Sequence, residues 1–392
     1  LKAVELFFSK IDVTLRRVNA LKRILFKPGG RGIVHIQEEG TMKKGFLCLA
    51  TISLLFCFIF VANGLCQSGG SPFETMLPAK AGFSSARLSE VTKYLEEIGS
   101  AAFLALYDGK AFLTWGNLDR KYWCHSMRKA FLSSLYGIYV SRGIIKLDKT
   151  IEELGIDDIA PSLTEAEKKA RIVDLIRARS GVYHPAAAET EGMAAGRPPR
   201  GSHPPGTFFY YNNWDFNALG TIFEQETGEK IFEAFEKEIA RPLGMKDFSA
   251  EDCEYQYEKD KSIHPAYHFR MTARDLALFG LLYQRNGVWE GRQIIPKEWV
   301  QVSTKAHSII DPKSEVGYGY LWYVLPDDFG LGRGFYHTGV GVHMVMVLPE
   351  SKLVLVHRVD TGAPYKVTSQ DLYRLLNLMI AARLQKSPAG SP

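Results

Sequence analysis

Strand-like segments fall at the two ends of the globular part of this chain, with helical periodicities between them. That split narrows the possible folds more than any other feature. Near the front, residues 101–107 and 111–115 flank Asp108-Gly109, a pair that tolerates positive φ and so closes a two-residue hairpin. Near the back, residues 318–325, 344–348 and 353–358 are short β-rich runs broken by Pro and Gly. The prediction is an α+β fold: an antiparallel sheet built from both chain ends with flanking helices, plus a mostly helical region inserted between.

Individual helices are legible from spacing. Leu88, Val91, Leu95 and Ile98 mark an amphipathic helix over 84–98, and Phe131, Leu135, Ile138 and Tyr139 another over 128–140. A helix over 163–179 is expected to begin in a capping box of Thr164 and Glu167. Further helices are expected over 217–226, stopped by Gly228, over 230–240, and over 276–283 with Thr272 as cap. Residues 372–384 close the fold as an amphipathic helix. Residues 181–207 differ: five prolines, several glycines and no period describe a long loop, and ordered loops of that length often shape a site.

The net charge of +5 is unevenly spread. Residues 1–44 hold ten basic residues against four acids, which leaves −1 for everything after Lys44. No basic surface remains to recruit nucleic acid, so no such partner is expected. Met42-Lys43-Lys44, an apolar run over 46–62 and then Asn63-Gly64 follow the layout of a secretory signal peptide. We therefore expect an upstream or non-native extension at 1–41, a signal peptide at 42–66, a linker at 67–80, the folded domain at 81–385 and a flexible tail at 386–392. The expected location is exported, periplasmic or secreted, with no stable membrane insertion after signal removal. N-terminal anchoring is the alternative, although the apolar run is a little short to span a bilayer. Of five cysteines only Cys124 and Cys253 belong to the domain, so no disulfide framework follows. C-x-x-C is absent, and neither a metal nor a cofactor is expected.

Ser126-Met127-Arg128-Lys129 is the only S-x-x-K in the chain. If a helix begins near Ser126, Lys129 lies one turn later on the same face, within reach of the serine oxygen. A serine hydroxyl is a weak nucleophile, and a neighbouring amine that takes its proton activates it. Lysine does so only if burial or cationic neighbours push its pKa well down. Free N–H groups at a helix start add a positive field suited to an oxyanion. Alone, the motif also reads as a capping serine and a solvated lysine. Two further clusters change the balance. Tyr210-Tyr211-Asn212-Asn213 presents phenols and amides after the proline-rich loop, and His337-Thr338-Gly339 precedes the 344–348 strand. The tripeptides Glu226-Thr227-Gly228 and Asp360-Thr361-Gly362 show that x-T-G is cheap by itself; the first reads as a helix end, the second as a strand exit.

The order S-x-x-K, Y-x-N, H-T-G with helices between resembles the serine hydrolases related to class C β-lactamases, penicillin-binding proteins and family VIII carboxylesterases. The resemblance covers residues 81–384 and implies a β-lactamase/transpeptidase-like fold. It implies Ser126 as nucleophile, Lys129 as its proton partner and Tyr211 as base or proton relay. Asn213 would hydrogen-bond the acyl side chain. His337 and Gly339 would line the site on their strand, and the backbone N–H groups of Ser126 and Val340 would hold the oxyanion. Tyr210 with Asn212 is the other register. Phe216, Leu219 and Gly220 follow Asn213 at the family's spacing, which favours Tyr211 with Asn213.

His337 stands where the β-lactamases carry lysine, and histidine near pH 7 is mostly neutral. The implied activity is therefore hydrolysis of a small ester or amide through an acyl-enzyme, carboxylesterase-like with weak β-lactam hydrolysis. A β-lactamase or D-alanyl-D-alanine carboxypeptidase is the alternative, and a penicillin-binding sensor or scaffold without turnover is the alternative of another class. Neither G-x-S-x-G nor H-E-x-x-H occurs. His264 and His268 have i,i+4 spacing, but Pro265 between them favours surface histidines over a metal pair. Tyr183, His184, Trp214, Tyr320 and Trp322 either wall the pocket or pack the interior, and Cys124 is expected as a buried neighbour of Ser126.

Overall fold

The computed structural model describes residues 72–311 and 313–384; the expected extension, signal peptide and tail lie outside the described residues. Strands β1 (Ala102–Tyr107) and β2 (Lys110–Gly116) meet at Asp108 and Gly109, whose φ values of 48° and 80° make the predicted tight hairpin. The later strands are β3 (Ser308–Asp311), β4 (Val316–Tyr318), β5 (Tyr323–Val324), β6 (Phe335–Gly339), β7 (His343–Leu348) and β8 (Leu353–Arg358). All eight join one antiparallel sheet in the order β2-β1-β8-β7-β6-β5-β4-β3. The two chain ends are stitched where Ala102 pairs with Arg358 and Tyr107 with Leu353. The predicted architecture stands.

Side chains alternate across the sheet, so each strand feeds two cores. Met344, Met346, Leu353 and Leu355 meet α1 (Ser85–Ile98) and the closing helix, here α5 (Ser369–Ala382), through Leu88, Val91, Leu372 and Leu375. Val345, Val347, Val354 and Val356 face the other way, against a core shared by α2 (Arg128–Ser141), α3 (Asn213–Thr227) and α4 (Ala273–Gln284). Helix α4 lies close on the sheet because it carries Gly280 there; a Cβ would sit 2.6 Å from Val354 Cγ1. Caps fall as the sequence directs: Ser84, Asn212, Thr272 and Thr368 each accept a hydrogen bond from the backbone three residues on.

Three expectations need correction. The described part of the linker is packed rather than free: Phe73 is buried, Thr75 bridges Ala111 and Pro78–Ala81 forms a 3-10 turn. The helix expected over 163–179 is broken. Thr164 and Glu167 do form their reciprocal bonds, at 2.8 and 3.2 Å. However, Ala170 then turns extended, accepts from Ile151 N–H at 2.8 Å, and Arg171 bridges Thr150 before a helix resumes at Ile172–Ile176. Tertiary pairing outweighs local propensity there. Third, His264 is buried rather than on the surface, hydrogen-bonded to Thr221 Oγ1 at 2.9 Å and Asp157 O at 3.0 Å. Among the described residues, no helix is long and apolar enough to cross a membrane.

Candidate active site

Ser126 lies in a 3-10 turn, His125–Met127, that runs directly into α2. The turn is held from below by Arg358, the last residue of β8. Its buried guanidinium donates to Tyr122 O at 2.7 Å and to Met271 O at 3.4 Å, and lies 3.8 Å from the Cys124 sulfur. Cys124 is buried beside Ser126 as expected, and burial pushes its thiol up. It is a packing residue.

One helical turn after Ser126, Lys129 donates from Nζ to Ser126 Oγ at 2.9 Å. Lys129 is fully buried, and no carboxylate forms an ion pair with it among the described residues. Burial first, then the neighbouring Arg128 cation, drives its pKa well below the ordinary lysine range. Arg128 is buried as well. It donates to Asn217 Oδ1 at 2.6 Å and sits 4.1 Å over the Tyr267 ring, while its Nη1 has no hydrogen-bond partner among the described residues. Two adjacent buried cations without a counter-ion cannot both hold their protons cheaply. Lysine is the one that yields, since guanidinium stays charged.

The two tyrosines of the Y-x-N cluster point to different partners. The Tyr210 phenol turns away to donate to Met193 O at 2.6 Å. Tyr211 packs its ring 4.9 Å from Lys129 Nζ, the amine that bonds Ser126 Oγ. Burial pushes the Tyr211 phenol up to about 12; Ser126, Arg128 and Tyr323 oppose the rise only in part. It is therefore a neutral donor near pH 7. Asn213 opens α3, but its amide nitrogen donates to Ala188 O at 2.6 Å while its Oδ1 is buried without a partner among the described residues. Together with Asn217, which donates to Ala187 O at 3.0 Å, it pins the proline-rich loop onto α3.

On the other side of Ser126 lies the end of β6. A Cβ at Gly339 would meet Cys124 O at 2.6 Å, His125 Cβ at 2.9 Å and Ser126 N at 3.2 Å. Only glycine lets the strand pass so close to the serine backbone. Val340, the next residue, is exposed at the rim. His337 is buried behind it, with Nδ1 2.8 Å from Thr338 O and Nε2 unpartnered among the described residues. Burial, then the nearby Lys129, pushes its imidazole down to about 3, so it is neutral.

The fold thus brings Ser126, Lys129, the Tyr211 ring and Gly339 together, with His337 on the same face of β6, Val340 just beyond Gly339 and Asn213 engaged with the loop. Trp214 and Trp322 are interior residues, the former donating to Asp158 at 2.7 Å. Sequence reading missed Arg128 and Tyr323. Arg128 was legible as the cation beside the lysine, whereas Tyr323, stacked 5.8 Å from Tyr211 and edge-on to His337 at 5.3 Å, reaches the site only through strand pairing.

Comparison with known proteins gives the family and the fold. The Beta-lactamase family model matches residues 90–376. No curated protein sequence matches the chain. Among solved structures, a protein described as a 6-aminohexanoate-dimer hydrolase from Bacillus anthracis superposes with a TM-score of 0.61 at 21% identity, covering 79% of this chain and 86% of that one. An octameric penicillin-binding protein homologue from Pyrococcus abyssi gives 0.56 at 20% identity over 74% and 77% of the two chains. A penicillin-binding protein homologue from Caulobacter crescentus gives 0.56 at 16% identity over 77% and 99%. At these identities the structural likeness speaks for the fold alone.

Proposed function

The chain belongs to the β-lactamase family, whose members are serine hydrolases, and from that premise we propose that it hydrolyses a small ester or amide through an acyl-enzyme at Ser126. The observation that carries this reading is the 2.9 Å contact between Ser126 Oγ and a buried Lys129 that lacks a counter-ion among the described residues. A neutral amine at that distance takes the serine proton as Oγ attacks the substrate carbonyl carbon. The oxygen that gains negative charge is held by the N–H groups of Ser126 and Val340. Collapse of the tetrahedral intermediate breaks the bond to the leaving alkoxide or amine, which takes its proton from the Lys129–Tyr211 pair. Tyr211, a neutral phenol, serves as relay between lysine and leaving group. Water then attacks the acyl carbon with the same groups in reversed roles, and the acid departs.

The neutral, buried His337 favours substrates without a carboxylate at that strand, since no fixed positive charge is offered there. Weak β-lactam hydrolysis fits the same site. The test is Ser126→Ala, assayed on p-nitrophenyl butyrate, nitrocefin and a peptide ending in D-Ala-D-Ala. The ester should be the fastest substrate of the unaltered protein, and the variant should hydrolyse none of the three while keeping its melting temperature. Undiminished turnover by the variant, or nitrocefin outrunning the ester, overturns the reading.

A further inference from the structure

Two residues that the acyl-transfer steps do not use join the halves of the oxyanion site. His125 directly precedes Ser126 and holds φ at +47°, a left-handed conformation that a side chain keeps only when its surroundings fix it. Its Nε2 lies 2.8 Å from Thr361 Oγ1, in the turn after β8. Thr361 reaches the other half as well. A Cβ built on Gly341, one residue past Val340, would lie 2.4 Å from Thr361 Cγ2, so the threonine methyl is seated against that glycine. The turn carrying Thr361 is anchored: Asp360 pairs with Arg120 at 2.7 Å and accepts from Gly362 N–H at 3.2 Å.

We propose that Thr361 is a positioning residue that sets the separation of the Ser126 and Val340 N–H groups. Its hydroxyl holds His125 on the serine side, and its methyl holds Gly341 on the strand side. This rests on the reading of those two N–H groups as the oxyanion donors. Such donors work only within a few tenths of an ångström of hydrogen-bond distance from the developing charge. A side chain that touches both of their supports therefore acts on the transition state more than on substrate binding. The Asp360-Thr361-Gly362 tripeptide is thus more than a strand exit.

Thr361→Val keeps the shape and the methyl group and removes the hydrogen bond. It should lower kcat on p-nitrophenyl butyrate about 10-fold, the scale of one lost bond acting in the transition state, with KM within about twofold. The rate at which a fluorophosphonate probe adds to Ser126, followed by intact mass, should fall by the same factor. Thr361→Ser, which keeps the hydroxyl, should recover most of the loss. His125→Asn tolerates positive φ but is too short to reach Thr361; it should match Thr361→Val, and the double variant should be no slower than either. If Thr361→Val fails to fold, His125→Asn reads the same bond from its other end. Unchanged kcat and labelling in these variants, no recovery with Ser, or multiplying losses in the double variant would each overturn the assignment. Probe addition elsewhere than Ser126, or ester turnover by Ser126→Ala, brings down the site reading and this proposal together. Labelling at Ser126 that Thr361→Val leaves unimpaired brings down only the latter.

Discussion

The two faces of the sheet solve opposite problems. Against α1 and α5 the sheet presents Met344, Met346, Leu353 and Leu355 to Leu88, Val91, Leu372 and Leu375, and the one buried histidine at its margin, His357, has both ring nitrogens hydrogen-bonded, to Ser100 and to Val342 O. The opposite face starts equally apolar, with Val345, Val347, Val354 and Val356, but towards Ser126 it buries Arg128, Lys129, His337 and Arg358. There Arg128 Nη1, His337 Nε2 and Arg358 Nε lack partners among the described residues. Desolvated polar atoms of that kind destabilise a fold. The difference teaches where the stability comes from: the quiet face offsets the strain that makes the other face reactive.

The sharpest way to break that comparison is Lys129→Met. Loss of the general base should lower kcat on the ester by roughly 10²–10⁴-fold. The same change should raise the melting temperature by roughly 2–4 °C, the shift about 1 kcal/mol gives in a domain of this kind. Its sign follows from linkage. A lysine whose folded pKa is depressed by burial costs stability wherever the unfolded chain binds the proton more readily, and that cost shrinks as pH rises towards the ordinary lysine pKa. The gain in melting temperature should fade by about pH 10, near the unperturbed lysine value. A variant both inactive and less stable at pH 7 would contradict the contrast. Gly339→Ala should come next, with a kcat loss of about 10²–10³-fold as the new methyl group drives β6 off the Ser126 turn. Steady-state kinetics that leave kcat within threefold would show that β6 can yield. On the quiet face, Leu375→Ala should cost about 2–4 kcal/mol in urea unfolding and leave kcat of the folded fraction unchanged. A kcat change there would mean that the faces are coupled.

How much of this was legible depended on whether the information lies along the chain or across it. The hairpin at Asp108-Gly109, the helix caps and the apolar stripe of α1 are local, and each formed where its spacing put it. Ser126 and Lys129 are one turn apart, so their contact follows from helix geometry once the turn is helical. The residues that follow Asn213 favoured Tyr211 over Tyr210, and it is the Tyr211 ring that lies 4.9 Å from Lys129 Nζ. What was not readable comes from partners far apart in sequence. Arg171 left its helix because Thr150 pairs with it, and His264 was drawn inside by Thr221 and Asp157. Tyr323 met Tyr211 because β5 and β6 align, and Thr361 met His125 across more than half of the chain. No periodicity carries such pairs.

The finest difference between the faces is in their histidines, and pH reads it. Burial, ahead of any charge, pushes His125 and His357 down to about 4 and His337 down to about 3, and holds His343 well below the ordinary range. In the unfolded chain each takes a proton near pH 6.5. A group whose folded pKa is depressed contributes stability that is present above the unfolded value and lost as pH falls towards the folded one. Between pH 6.5 and 5 the unfolded state therefore binds the extra protons. Unfolding free energy should drop by up to about 1.4 kcal/mol per pH unit for each histidine involved. Urea titrations across that window should show a slope of more than one proton for the unaltered protein, and His357→Gln should reduce it by about one. Because both nitrogens of His357 are bonded while His337 and His343 each leave Nε2 without a partner among the described residues, the Gln variant should cost stability at pH 7, whereas His343→Leu should cost less or gain. If His343→Leu proves the more damaging of the two at neutral pH, the bare nitrogens near Ser126 are not the destabilising feature that sets this face apart.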